Sequence, residues 1–495
     1  MLILIVGLLF IVGIESILYY VGTDILALLV VFMWFVWGGY FIFAYPGLWS
    51  ILGLYFVAFK AINCRRLVEG KKNLPNIKRS FSSSFHLTSL YLLALLGIQA
   101  LTDLFGLRFA FQEWLVIIGM LIGSLVLVYS VTRSFKKIFG YDESVLDSLT
   151  HEQLPALTVA IPARNETEDL DQCLKSLIAS DYPKLEILVL DDCSQERKTP
   201  EIIRSFAHDG VRFLAGDEPP SSWTAKNFAY QQLANEANGE LLLFCGVDTR
   251  FDSVTIRRMV GLLLQRNKSM VSFIPENEVV SKGFRYYLIQ PVRYLWEVGF
   301  PRRLFNRPPV LSTCWLIKAD KLKHLGGFKA VSRSITPERY FAKQCAKDND
   351  GYSFLASSES IGLKCIKAYE DQYDTAIRTL YPALHQKLEL VAPLLLFQFS
   401  VYFLPFVVLA YGAYIRNYAF VGISVFMMAL ESYSYAKVVY LTYRKEVGRG
   451  WFLFPLIGVY NAGLLLKSMW KYEFDAVYWK GRNVCVPLRN YTDPT

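Results

Sequence analysis

An α/β domain with a mostly parallel sheet, inserted between blocks of membrane-spanning helix, is the fold class this sequence predicts. Three observations lead there. The apolar run Leu157-Thr-Val-Ala-Ile161 enters a polar turn, Pro162-Ala-Arg-Asn-Glu166. Leu188-Val-Leu-Asp-Asp-Cys-Ser194 follows one strand–helix–strand unit later. That spacing puts carboxylates at the carboxyl ends of parallel strands, where α/β sheets bind ligands. Finally, residues 1–44, 86–132 and 388–440 contain apolar runs of spanning length, while charge concentrates between Arg133 and Lys387.

The strands and helices follow in order. Strand Leu157–Ile161 leads to helix Asp169–Ala179, strand Glu186–Leu190 to a helix near Pro200–His208, and strand Val211–Leu214 to helix Ala225–Glu236. Strand Glu240–Phe244 leads to helix Ser253–Gln265, and strand Met270–Ile274 closes the series. Alternation of this kind implies parallel strands with helices on both faces.

The chain has 495 residues, 53% of them hydrophobic, and a net charge of +9. The Lys and Arg follow the ends of apolar runs, as between Lys60 and Arg79, so they read as cytoplasmic loops under the positive-inside rule and not as a nucleic-acid surface. No two of the eight cysteines form a Cys-x-x-Cys pair, which implies reduced thiols without a metal role. The expected organisation is an N-terminal membrane segment of two or three spans (1–62), a basic loop (63–85) and a transmembrane hairpin (86–132). A cytoplasmic domain (133–387) follows, with an aromatic, Arg-bearing interfacial helix near 283–305. A second hairpin (388–441) and a re-entrant or interfacial segment with a cytoplasmic tail (442–495) complete it. The N-terminus has no basic n-region or cleavage signal, so the first apolar run is expected to be a retained span. The spans show no buried charge series of the kind a transport pathway needs, Glu15, Asp24 and Glu431 being isolated.

Several residues are candidates for chemistry. Asp191 and Asp192 at a strand end can accept hydrogen bonds from a nucleoside, or merely cap a turn. Leu241-Leu-Leu-Phe-Cys-Gly-Val-Asp248 delivers Asp248 to another strand end, where a carboxylate can hold a divalent cation. Lys226, in Trp223-Thr-Ala-Lys226, opens a helix whose N–H groups favour anions. Pro337 suits a first helical turn, which sets Glu338 near a positive helix end. Arg378 lies where a short helix meets the returning apolar segment.

Taken in order, Pro162-Ala-Arg-Asn-Glu166, Asp191-Asp192, Trp223-Thr-Ala-Lys226, Gly246-Val-Asp248, Gly326-Gly-Phe328 and Thr336-Pro-Glu338 resemble the family 2 glycosyltransferases of the GT-A fold. The flavour is that of membrane enzymes that glycosylate hydrophobic lipids, such as the hopanoid-associated, carotenoid and ceramide glycosyltransferases. Trp479-Lys-Gly-Arg482 is similar to their tails. The resemblance implies a nucleotide-sugar site made by Pro162, Arg164, Asn165, Glu166, Asp191, Asp192, Lys226, Asp248 and Arg378. It implies a divalent cation, Mg²⁺ or Mn²⁺, at Asp248, and Glu338 as catalytic base in place of the Asp of the family's Thr-Glu-Asp motif.

Two departures stand out. Gly246 replaces the first Asp of the Asp-x-Asp motif, which weakens a site for a hard cation and shifts charge handling toward Lys226 and Arg250. Thr375 and Thr379 replace the Gln and Trp of the Gln-x-x-Arg-Trp motif, whose Trp holds a growing polymer in processive enzymes. The expectation is inverting transfer of one sugar, from a UDP-hexose to the hydroxyl of a membrane lipid acceptor. It would take place at the cytoplasmic leaflet of the bilayer, by a multi-pass protein of the plasma membrane. The alternatives are a processive polysaccharide synthase and a non-catalytic membrane scaffold with a degenerate transferase domain.

Overall fold

A computed structural model describes residues 6–14, 24–44, 110–143, 146–279, 285–299, 308–347, 351–386, 388–444 and 453–485. The third apolar run, the basic loop and the first half of the 86–132 hairpin lie outside the described residues. The chain divides into two compact units, 1–121 with 384–398, and 122–383 with 399–495. In the first unit, helix Asp24–Ala44 packs the edge of Trp34 against Trp37, ring centroids 5.7 Å apart. A Cβ at Gly7 would stand 3.3 Å from the Trp37 indole, so the absent side chain admits that ring.

Among the described residues the second unit has twelve strands in three sheets: β1 (Leu157–Ala163), β2 (Leu185–Asp191), β3 (Val211–Ala215), β4 (Leu241–Cys245), β5 (Thr249–Phe251), β6 (Met270–Ile274), β7 (Glu276–Glu278), β8 (Cys314–Lys318), β9 (Tyr352–Ala356), β10 (Leu363–Ile366), β11 (Tyr478–Trp479) and β12 (Arg482–Asn483). The main sheet has seven strands in the order β3-β2-β1-β4-β8-β6-β9. All are parallel except β8, which runs antiparallel between β4 and β6. The near-continuous apolar runs of β1 and β4 reflect burial on both faces. Alternate side chains go to opposite layers. Leu157, Val159, Ile161, Leu241 and Leu243 join a core under helices Glu168–Ile178 and Thr255–Gln265. Ala160, Leu242 and Phe244 join a second core under helices Ala225–Glu236 and Pro337–Lys347.

The order β2-β1-β4 fixes the position of the site. The chain winds from β1 outward to β3, then returns to place β4 on the other side of β1. A crevice opens at such a reversal, beyond the strands' carboxyl ends. A small sheet, β5-β10-β7, pairs β10 antiparallel with the residues just after Asp248.

Helices 117–138 and Tyr418–Thr442 are long and apolar enough to cross a membrane. Between them the hydroxyl of Ser124 donates to the Glu431 carboxylate at 2.9 Å. Three expected segments take more specific forms. The 390–414 run is interrupted at Phe403, giving helices Val391–Tyr402 and Leu404–Tyr414, because Pro405 lacks the N–H that a continuous helix needs. The aromatic segment forms helix Tyr286–Val298, whose Tyr286, Tyr287, Leu288 and Val292 are covered by Tyr435, Val439 and Ile457. The 451–469 run becomes helix Phe454–Glu473, which packs along helix Tyr369–Ala383 and bonds to it through Ser468 Oγ and the Tyr381 N–H at 3.1 Å.

Candidate functional site

The polar turn after β1 is held by its own side chains. Asn165 adopts φ 49°, a left-handed conformation that Asn tolerates better than most residues. Its Oδ1 accepts from the Gln195 N–H at 2.8 Å, and its N–H donates to Ser194 Oγ at 2.9 Å. Buried Arg164 donates through one terminal nitrogen to the carbonyls of Asp192 and Cys193, both at 2.6 Å. These two residues, expected in the nucleotide site, lock the β1 turn to the β2 turn and do not line the cavity. Asp191 behaves as a turn cap, its Oδ1 accepting from the Ser194 N–H at 3.2 Å. Asp192 turns inward and is 3% exposed. Burial raises its pKa, against the opposing pull of Arg482.

Beyond β4, Gly246-Val-Asp248 forms the opposite wall. The Ile366 N–H donates to the Asp248 carbonyl at 2.8 Å, so β10 delivers Lys367 beside that residue. Lys367 Nζ lies 3.5 Å from Asp248 Oδ2. Arg250, a candidate for leaving-group charge, is turned to another task. It pairs with Asp169 at 2.8 Å and donates to the Val247 and Thr249 carbonyls, outside the cavity. Among the described residues no three His, Cys, Asp or Glu side chains converge beside Asp248, whose carboxylate is taken up by Lys367. A Cβ at Gly246 would stand 2.5 Å from Asp248 Oδ1, so an added carboxylate there would require Asp248 to move.

Lys226 and Glu338 come from the second core. Thr224 precedes helix Ala225–Glu236, whose Asn227 donates to the Val331 and Ser334 carbonyls at 2.7 and 2.8 Å and fixes the loop leading to Glu338. Glu338 sits in the first turn of its helix, 2% exposed, and its Oε2 has no partner. Under that helix lies an aromatic stack, with Phe244 on Trp315 at 4.5 Å and Trp315 on Phe341 at 5.9 Å. Burial raises the Glu338 pKa, with Lys226 the largest opposing influence. Burial pulls the Lys226 pKa down to about 8; Glu338 opposes this, while Arg378, Arg293 and Lys367 add to it.

The C-terminal hairpin β11–β12 forms a third wall. Its turn uses φ 45° at Lys480 and 82° at Gly481, the second being suited to glycine. Lys480 pairs with Glu166 and donates to the Arg164 carbonyl at 2.8 Å. Arg482 bonds Asp192 at 2.6 Å and Glu218 at 2.9 Å. The Arg378 guanidinium lies 5.1 Å from the Trp479 ring centroid. Helix Phe454–Glu473 steadies Arg378 from behind, the Tyr472 hydroxyl donating to the Arg378 carbonyl at 2.7 Å.

One cavity of about 570 Å³ joins these walls. Of the expected residues, Pro162, Glu166, Lys226, Asp248 and Arg378 line it. Asp192 reaches it through its ion-pair partner Arg482, a lining residue, while Glu338 is not among the lining residues. Sequence reasoning missed Arg293 and Lys367, and noted Trp479–Arg482 only as a similar tail. The Arg in the aromatic 283–305 segment was the available signal for the first.

Residues 158–326 match the family model described as Glycosyl transferase family 2. Glycosyltransferase AglE of Haloferax volcanii is 37% identical over 99 residues, 19% of this chain and 31% of that protein. Probable glycosyltransferase YdaM of Bacillus subtilis is 26% identical over 185 residues, covering 36% and 44%. The 4,4'-diaponeurosporenoate glycosyltransferase of Staphylococcus haemolyticus is 31% identical over 102 residues, covering 21% and 26%. The chain thus spans less than half the length of these three relatives. A mannosyltransferase from Pyrobaculum calidifontis, solved with GDP-Man and Mn²⁺, superposes with TM-score 0.43 at 16% identity, over 72% of this chain and 98% of that one.

Proposed function

We propose that the protein is an inverting glycosyltransferase that moves one sugar from a nucleotide-diphosphate sugar, a UDP-hexose, to a hydroxyl of a membrane lipid. The observation that carries this reading is the convergence of Asp248, Lys226 and Arg378 on one cavity at the sheet's reversal, with Glu338 behind Lys226. Glu166 faces the nucleoside, and Asp192 acts there through Arg482. The acceptor oxygen attacks C1 and its proton passes to Glu338. The C1–O bond to the diphosphate breaks, its electron pair leaving on the phosphate oxygen. A carboxylate held above its usual pKa is the better base for a hydroxyl, and the cations meet the departing charge.

The lipid acceptor is supported by the apolar helices 117–138 and Tyr418–Thr442 and by the relative that acts on diaponeurosporenoate. Transfer would then occur at the inner leaflet, from a protein integral to the plasma membrane. A polymer-forming activity is favoured by one fact. Poly-beta-1,6-N-acetyl-D-glucosamine synthase of Staphylococcus epidermidis is also a relative, 24% identical over 206 residues. Thr379, standing where processive enzymes place Trp, favours single transfer. The test is to incubate the purified protein with radiolabelled UDP- and GDP-sugars and total membrane lipid. Label is expected in the organic phase as a monoglycosylated lipid. Label in a long water-soluble polymer would replace this reading with the synthase, and no transfer or donor hydrolysis would leave the scaffold.

A further inference from the structure

We infer that the donor's diphosphate is held by side-chain cations alone, with Lys367 in the position a divalent ion would otherwise take. The inference rests on the transferase reading and specifies how its leaving group is received. Asp248 is already paired with an ammonium, Lys367 Nζ at 3.5 Å from its Oδ2. Its neighbour is Gly246, and a side chain there meets Asp248 within 2.5 Å of the Cβ. The other nearby acids of the wall are engaged elsewhere: Glu166 with Lys480, Asp169 with Arg250, Glu218 with Arg482. Asp371 and Asp374 line the cavity at its exposed edge, beside Arg378. Among the described residues no three acids converge on one point, and the carboxylate nearest the β4 turn is already taken up by Lys367.

The cations are arranged the other way. Lys226, Arg293, Lys367 and Arg378 line the same cavity. Among the described residues, Lys226, Arg293 and Arg378 make no ion pair; Arg293 reaches only Ser312 Oγ, at 3.4 Å. Like charges crowded in a partly dehydrated cleft repel one another unless an anion separates them. Asp248, Asp371 and Asp374 line the cavity too and answer part of that charge, and a diphosphate meets the cations that make no ion pair. Arg forks match phosphate oxygens in pairs, while Lys acts as a point charge that swings from Asp248 to the incoming phosphate.

The test is calorimetric titration of the full-length protein in detergent with UDP, GDP, uridine and guanosine, in EDTA and again in Mn²⁺. One nucleoside diphosphate is expected to bind with the same Kd, within about twofold, under both conditions. Lys367→Gln is expected to weaken that diphosphate by about tenfold in EDTA, with the matching nucleoside unchanged and Lys367→Arg largely restored. Binding that vanishes in EDTA and returns with Mn²⁺ would overturn the inference. So would a Lys367→Gln protein whose diphosphate and nucleoside affinities fall together, since that marks a structural role. Failure of both nucleotides in both buffers would strike down the transferase reading itself, a different result from metal-dependent binding.

Discussion

The two sides of the cleft differ in how their charges are matched. On the side of β1 and β2, Glu166, Asp192 and Glu218 each meet a cation of the C-terminal hairpin. On the side of β4 and the second core, Lys226, Arg293 and Arg378 have no ion-pair partner among the described residues, and Glu338 Oε2 is buried without a hydrogen bond. Matched pairs hold shape, whereas unmatched groups half-buried in a cleft await a reactant. Burying polar groups unpaired is costly, so their concentration on one side marks where chemistry is expected.

The contrast can be broken most severely at Glu338. Glu338→Gln keeps the shape and removes the base, so kcat is expected to fall by about 10²–10⁴-fold with donor affinity preserved. Lipid glycosylation and nucleotide titration on the same preparation check this, and near-normal turnover would remove Glu338 from the mechanism. Trp315→Ala would loosen the support under Glu338, lowering unfolding stability by about 3–5 kcal/mol; chemical denaturation of the detergent-solubilised protein measures it. On the matched side, Arg482→Ala leaves Asp192 buried without its cation and is expected to cost about 1–3 kcal/mol of nucleotide binding, read as a rise in Kd.

A pH profile sharpens the comparison without a substitution. Glu338 must be ionised to accept a proton, and its pKa is raised by burial, so the acid limb of kcat/KM should lie above the usual carboxylate range. Lys226 must be charged to meet the diphosphate, and its pKa is drawn down to about 8, so affinity should decline as pH rises through that value. A diphosphate affinity that stays flat well above it would take Lys226 out of the site. The smallest effect belongs to the exposed pair Asp171–Lys175 on the outer face of helix Glu168–Ile178, where Asp171→Asn should move Tm by no more than about 1 °C.

Local pattern revealed the winding from β1 to β6 because buried parallel strands are continuous apolar runs, as Leu241–Cys245 illustrates. It also revealed the carboxyl-end acids, since a strand end is a position in sequence. Pairing over long range was beyond it. The antiparallel insertion of β8 depends on Cys245 meeting Cys314, and Lys367 reaches Asp248 only because β10 pairs back on β5. The bonds of Arg164 and Arg250 were illegible for the same reason, as a charged residue at a strand end gives no sign of which carbonyls or acids it will find. The aromatic 283–305 segment has the composition of a membrane interface, yet helices from distant sequence cover the side chains of Tyr286 and Tyr287.

The ring stack of Phe244, Trp315 and Phe341 has a further consequence. It welds the strand that leads to Asp248 to the helix whose first turn carries Glu338, so the two act as jaws of a caliper with a set opening. Changes of sugar preference should therefore arise in walls the rings do not touch, such as the β11–β12 hairpin.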